Sequence, residues 1–145
     1  MLLDERVREG FGDTMIFALV VGVALAGTVG NAHHSIASIY DSSRQAIIEG
    51  IVVSFQFINP HPLITIKVDA GDGKMDEWRL EMDNRLELAA VGMTAETVRP
   101  GDYIIVTGSL ARTQRNGLYI RRLERPADGF QYEQVGSRPR IRRSS

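Results

Sequence analysis

The stretch RQAIIEGIVVSFQF, Arg44 to Phe57, limits the fold more than any other part of the chain. It is rich in Ile, Val and Phe, so it reads as one long strand that stops at Asn59-Pro60. Gly50 sits in its middle, where a glycine permits the geometry of a bent or bulged strand. A strand this long, with a bend in it, can serve both halves of a strongly curved sheet.

The segments that follow give such a strand its partners. LITIKVDA, Leu63 to Ala70, alternates apolar and polar residues and runs into Gly71-Asp72-Gly73, a strand entering a hairpin turn. In EWRLEM, Glu77 to Met82, one face carries Trp78, Leu80 and Met82 and the other Glu77, Arg79 and Glu81. The period then changes: NRLELAAVG, Asn84 to Gly92, fits a short helix with Asp83 or Asn84 as its cap and Gly92 as its stop. After the tight turn Arg99-Pro100-Gly101-Asp102 come two more strands, Tyr103 to Ala111 and Gly117 to Arg125, joined around Asn116-Gly117. Three strands, a helix and two strands is the element order of the five-stranded OB barrel, in which the helix plugs one end. The expected fold is therefore mainly β, a small five-stranded OB-like barrel with one short helix between strands three and four. A compact antiparallel sheet covered by a helix is the alternative.

A chain of 145 residues has room for one such domain. Residues 1–32 read as a leader: MIFALVVGVALAGTV, Met15 to Val29, carries no charge, and small residues at Gly30 and Ala32 let a peptidase leave His33 first. As a helix this run covers only about 23 Å, short of a hydrocarbon core of about 30 Å. A retained anchor facing the periplasm is the alternative to cleavage. The segment before the run is unusually acidic for a leader, with Asp4, Glu5, Glu9 and Asp13 against Arg6 and Arg8, and Met15 offers a second start. Residues 33–126 form the OB-like domain in this reading. Residues 127–145 form an arginine-rich arm, solvated or in electrostatic contact with anionic lipid or a partner through Arg138, Arg140, Arg142 and Arg143.

Cysteine is absent, which excludes disulfides, thiolate metal sites, a Cys nucleophile and iron-sulfur ligation. Of 17 Lys plus Arg and 18 Asp plus Glu, two and four precede His33, leaving a nearly neutral body of 15 against 14. No general nucleic-acid footprint results, and a membrane enters only through an uncleaved leader or the arginine-rich end.

The chain has three histidines, and two are adjacent in NAHHSIASIYD. Cleavage after Ala32 would let His33 chelate a metal ion with its own α-amine and imidazole, and His34 or His61 would complete a nitrogen site. Such donors suit Cu(II) best and also accept zinc or nickel. His61 lies in FINPHPL, where Pro60 and Pro62 restrict the backbone and fix its direction. The plainer reading of His61 is a polar ring at a strand corner, satisfied by backbone or water. Met82 has the spacing of a core residue, beside a second reading as a thioether ligand for Cu(I) with Trp78 screening the ion. Glu81 is a solvated carboxylate, a ligand or a support for the histidines. No G-x-S-x-G elbow, H-E-x-x-H helix, phosphate loop or dinucleotide fingerprint occurs, so no catalytic residue is named.

These motifs together resemble a family of small exported bacterial proteins defined only as a domain of unknown function. The matching residues are Ala32, His33, His34 and Ser35; Asn59, Pro60 and His61; Glu77, Trp78 and Glu81; and Pro100, Gly101 and Asp102. The resemblance spans residues 32–126 and implies an exported domain with no assigned reaction. The chain differs from it at Phe57-Ile58, at Pro62 and in its acidic leader.

Three functions follow as expectations. The first is a periplasmic or secreted metal-binding protein, for copper foremost, acting as a carrier or buffer through His33, His34 and His61. The second is a non-catalytic domain that binds an envelope protein. The third is a copper oxidoreductase built on a terminal histidine, the only enzyme this sequence allows to be written chemically.

Overall fold

The computed structural model describes residues 36–143, so the leader expected over residues 1–32 lies outside the described residues. Seven strands form one sheet: β1 (Tyr40–Gln56), β2 (Leu63–Gly71), β3 (Lys74–Glu81), β4 (Tyr103–Ala111), β5 (Gly117–Arg125), β6 (Phe130–Val135) and β7 (Arg138–Arg142). One helix, α1 (Arg85–Ala90), lies between β3 and β4. The spatial order is β3-β2-β1-β4-β5-β6-β7, and β3 also pairs in parallel with β5 through Arg79↔Gly117, Leu80↔Leu118 and Glu81↔Tyr119. That second pairing closes β1 to β5 on themselves, so the protein is mainly β and OB-like.

The closure depends on β1 changing partners. It pairs with β4 from Tyr40 to Ile51 and with β2 from Ile51 to Gln56. The changeover falls beside Gly50, where the strand passes so close to β2 that a Cβ would overlap the Lys67 carbonyl oxygen. A second close approach occurs at Gly108, at the register shift between β4 and β5, where a Cβ would meet the Tyr119 carbonyl. The β2–β3 hairpin turns through Asp72 and Gly73, both at positive φ (54° and 73°), as the Asp-Gly pair requires.

The helix starts where its cap predicts: the Asn84 side chain accepts from the Leu86 backbone N–H at 2.8 Å. Leu88 is its one fully buried residue, and it joins Met93 and Val98 in the main core with Ile64, Ile66 and Leu80 from the barrel strands. Each such side chain contributes about 1.5–3 kcal/mol by leaving water.

Two expectations are corrected here. The sheet has seven strands and not five, and the segment read as an arginine-rich arm after Pro126 folds as the β6–β7 hairpin. Phe130 and Tyr132 are fully buried and Ile141 packs against the same core. The apolar alternation was hidden because the third inward position of β6 is Gln134, whose polar side chain is buried by hydrogen bonding.

The Arg99-Pro100-Gly101-Asp102 turn docks on β1 through Val52 N–H to the Asp102 carbonyl (2.8 Å) and Gly101 N–H to the Val52 carbonyl (2.9 Å). Arg125 fastens it from below, donating to the Asp102 carboxylate at 2.7 Å, to the Thr97 carbonyl at 2.7 Å and twice to Asp128 at 2.9 and 2.8 Å. These bonds from Arg125, helped by the Phe130 backbone N–H, hold the Asp128 carboxyl down to about 2.

Gly50→Ala is expected to cost about 1–3 kcal/mol, since the clash is with backbone. Urea unfolding would read this as a lower midpoint at an unchanged slope; an unchanged midpoint would show that the bend tolerates a side chain. Because the Asp128 carboxyl titrates lower in the folded protein than in the unfolded chain, its contribution is present above pH of about 4 and is lost as pH falls toward about 2. Asp128→Asn is expected to flatten the stability profile in that window, and equal slopes in the two proteins would contradict it.

Candidate metal centre around His61

His61 is placed by the loop between β1 and β2. Pro60 and Pro62 have no N–H to give, but their carbonyls accept from Arg85 N–H and Met82 N–H, each at 2.9 Å. The Asn59-Pro60 peptide is cis. Arg85 also donates from Nε to the Phe57 carbonyl at 3.0 Å, and its guanidinium lies 5.0 Å from the Phe57 ring centroid. The loop is thus tied on both sides of His61 to the end of β3 and the start of α1.

The hairpin register brings Glu81 beside it. Leu63 pairs with Glu81, and His61 Nδ1 lies 2.6 Å from Glu81 Oε1. The other carboxylate oxygen, Oε2, accepts from the Tyr40 hydroxyl at 2.6 Å. Burial, and then the Glu81 carboxylate, push the Tyr40 phenol well above its ordinary range, so it keeps its proton and donates. Both oxygens of Glu81 are occupied, one by a ring nitrogen and one by a phenol.

A neutral imidazole that donates from Nδ1 to a carboxylate leaves Nε2 as a bare lone pair. His61 Nε2 is buried and has no hydrogen-bond partner among the described residues, while the side chain as a whole is 9% exposed. Buried polar atoms are nearly always satisfied, so this nitrogen stands out among the described residues.

Next to this group lies a small second cluster outside the main core. Tyr40, Ala111 and Tyr119 pack together with Ile36, and the two tyrosine rings have centroids 5.7 Å apart. Burial pushes the Tyr119 phenol up too, and the charge of the Asp83 carboxylate acts in the same direction. Asp83 accepts from Gln134 Nε2 at 2.7 Å, and Gln134 accepts from the Tyr132 hydroxyl at 2.8 Å. Arg112 ties the entering chain down with bonds to the Ile39 and Ala37 carbonyls, at 2.8 and 3.3 Å.

Of the residues expected to bind metal, His61 and Glu81 are brought together. Met82 has its side chain fully buried in the main core, and its backbone N–H is bonded to the loop at the Pro62 carbonyl. Trp78 is half-buried against that core. His33 and His34 lie outside the described residues, among which no three His, Asp or Glu side chains gather as a metal cluster. Glu81 has one partner on each oxygen, the His61 ring on Oε1 and the Tyr40 hydroxyl on Oε2. Sequence reasoning missed Tyr40, because the polar run Asp41 to Arg44 hides the start of β1 and a bulge there shifts its register. It also missed Arg85, whose signal was its place one residue after the helix cap.

No curated protein matches the chain. Among solved structures it is similar to the mitochondrial single-stranded DNA binding protein Rim1 of S. cerevisiae, with 18% identity, 60% of this chain and 94% of that one covered, and a TM-score of 0.46. It is also similar to the S. pombe Stn1-Ten1 complex (19% identity, 59% and 60% covered, TM-score 0.44). A third is a ZRD-deleted mutant of TiaS in complex with agmatine (16% identity, 64% and 26% covered, TM-score 0.45). A family of unknown function, DUF6152, matches residues 20–120, and the chain belongs to that family.

Proposed function

We propose that the protein binds a metal ion outside the cytoplasm, copper foremost, and acts as a carrier or buffer without turnover. One observation carries the reading: His61 Nδ1 contacts a carboxylate held by a phenol, while its buried Nε2 has no partner among the described residues. Metal-bound histidines have this arrangement, with the far nitrogen bonded to a carboxylate that orients the ring and raises its basicity. One imidazole is not a site, so further donors are needed. His33 and His34 supply them in this reading, and a single residue, Ser35, separates His34 from Ile36 in the sequence. Nitrogen donors alone favour copper over zinc or nickel.

A second reading, a domain that binds an acidic envelope protein, has its own support on the outer face of β5 to β7. Arg122, Arg140 and Arg142 line a hollow of about 210 Å³ there together with Glu133. Replacing the three arginines with serine leaves metal binding intact under the first reading and abolishes partner capture under the second.

The test is competitive Cu(II) titration of protein exported through its own leader, with intact mass recorded on the same sample. One equivalent is expected, on a chain beginning at His33, with affinity at least about tenfold lower in His61→Ala and in His33→Ala. Equal affinity in the wild type and His61→Ala would overturn the proposal.

A further inference from the structure

We infer that Tyr40 is a positioning residue of this centre: through Glu81 it holds His61 in the tautomer with Nδ1 protonated, so that Nε2 is the nitrogen offered to a metal ion. The affinity part of this inference rests on the metal-binding reading, and the tautomer part stands without it.

The two tautomers of a neutral imidazole lie close in energy, and the hydrogen bond made by one nitrogen selects between them. Here the selecting acceptor is Glu81 Oε1 at 2.6 Å. A carboxylate held by one oxygen can still turn about its last torsion, which is broad. The Tyr40 hydroxyl on Oε2, also at 2.6 Å, removes that freedom. Tyr40 is itself fixed. Its backbone is in register with Ala111, its ring packs on Ala111 and Tyr119, and the residue is 5% exposed. The orientation of His61 is therefore set from β4 and β5, through a β1 phenol and a β3 carboxylate, on the far side of the barrel wall from the main core.

Tyr119, two strands over on β5, gives an internal control. It has the same phenol and packs in the same cluster, but the hydrogen bond to Glu81 comes from Tyr40. A purely structural role for buried tyrosines predicts like effects from removing either hydroxyl; a positioning role predicts an effect on His61 from Tyr40 alone.

The measurement is made on the full chain exported through its own leader, stripped of metal and labelled with 15N at histidine. Long-range 1H–15N correlation at a pH where His61 is neutral reads the tautomer directly. Expected in the wild type is a protonated Nδ1 and a bare Nε2. Tyr40→Phe is expected to give a mixture of tautomers and about tenfold weaker Cu(II) binding, and Tyr119→Phe to leave both unchanged. A protonated Nε2 in the wild type overturns the inference, and this readout needs no variant to fold. A wild-type tautomer and affinity in Tyr40→Phe also overturn it, leaving the metal-binding reading in place. If the wild type takes up no Cu(II) while Tyr40→Phe still mixes the tautomers, the metal-binding reading falls and the positioning role of Tyr40 stands.

Discussion

The change of partner at Gly50 is the constraint on which the rest of the molecule depends. A strand has two edges, and β1 uses one for β4 along its first half and the other for β2 along its second. Only a residue without a side chain can stand at the changeover, because the Lys67 carbonyl occupies the space a Cβ would need. With that bend in place β2 and β3 swing round until β3 meets β5, and Glu81 comes to lie opposite Tyr119. The group around His61 is assembled by that closure: a strand start, a loop and a strand end that are far apart in sequence.

Burial shapes the chemistry of the group. Two carboxylates, Glu81 and Asp83, stand two residues apart at the end of β3; a tyrosine hydroxyl holds the first and a glutamine amide the second. Buried acceptors that are fully bonded cost little, whereas an unbonded one forfeits its hydration without return. Asp83 is bonded by an amide on one oxygen and a backbone N–H on the other, and it works as a joint between β3 and β6. Glu81 also has a partner on each oxygen, yet one of them, His61, has a buried ring nitrogen with no partner among the described residues. Two similar carboxylates thus differ in what they lead to: one joins two strands, the other a buried nitrogen that nothing described satisfies.

Much of the fold is written in local signals. Asp72-Gly73 sets its turn, Asn84 caps its helix, and the bounds of β4 and β5 follow from their alternation and the flanking glycines. The site is legible only by halves. His61 is conspicuous between two prolines and Glu81 unremarkable in a strand, and nothing in either segment gives the register that places one on the other. Tyr40 is invisible for a different reason: its value lies in a pairing with a carboxylate forty-one residues away. The last two strands escaped notice because an arginine at every second position of β7 reads as solvated tail, although the alternate positions, Pro139 and Ile141, are covered.

The hairpin of β6 and β7 carries the sheet beyond the residues matched by the family. The family match stops at residue 120, within β5, while the covalent structure needed to complete the sheet runs on to Arg142. Shortening the chain at Pro126 would not trim an appendage. It would uncover the inward row of Leu123, withdraw the Gln134 amide from Asp83, and leave a buried negative charge short of a donor two residues from Glu81. The end of the family match and the last strand of the sheet are different places in this molecule, and the polar joint at Asp83 ties the later strands to the earlier ones.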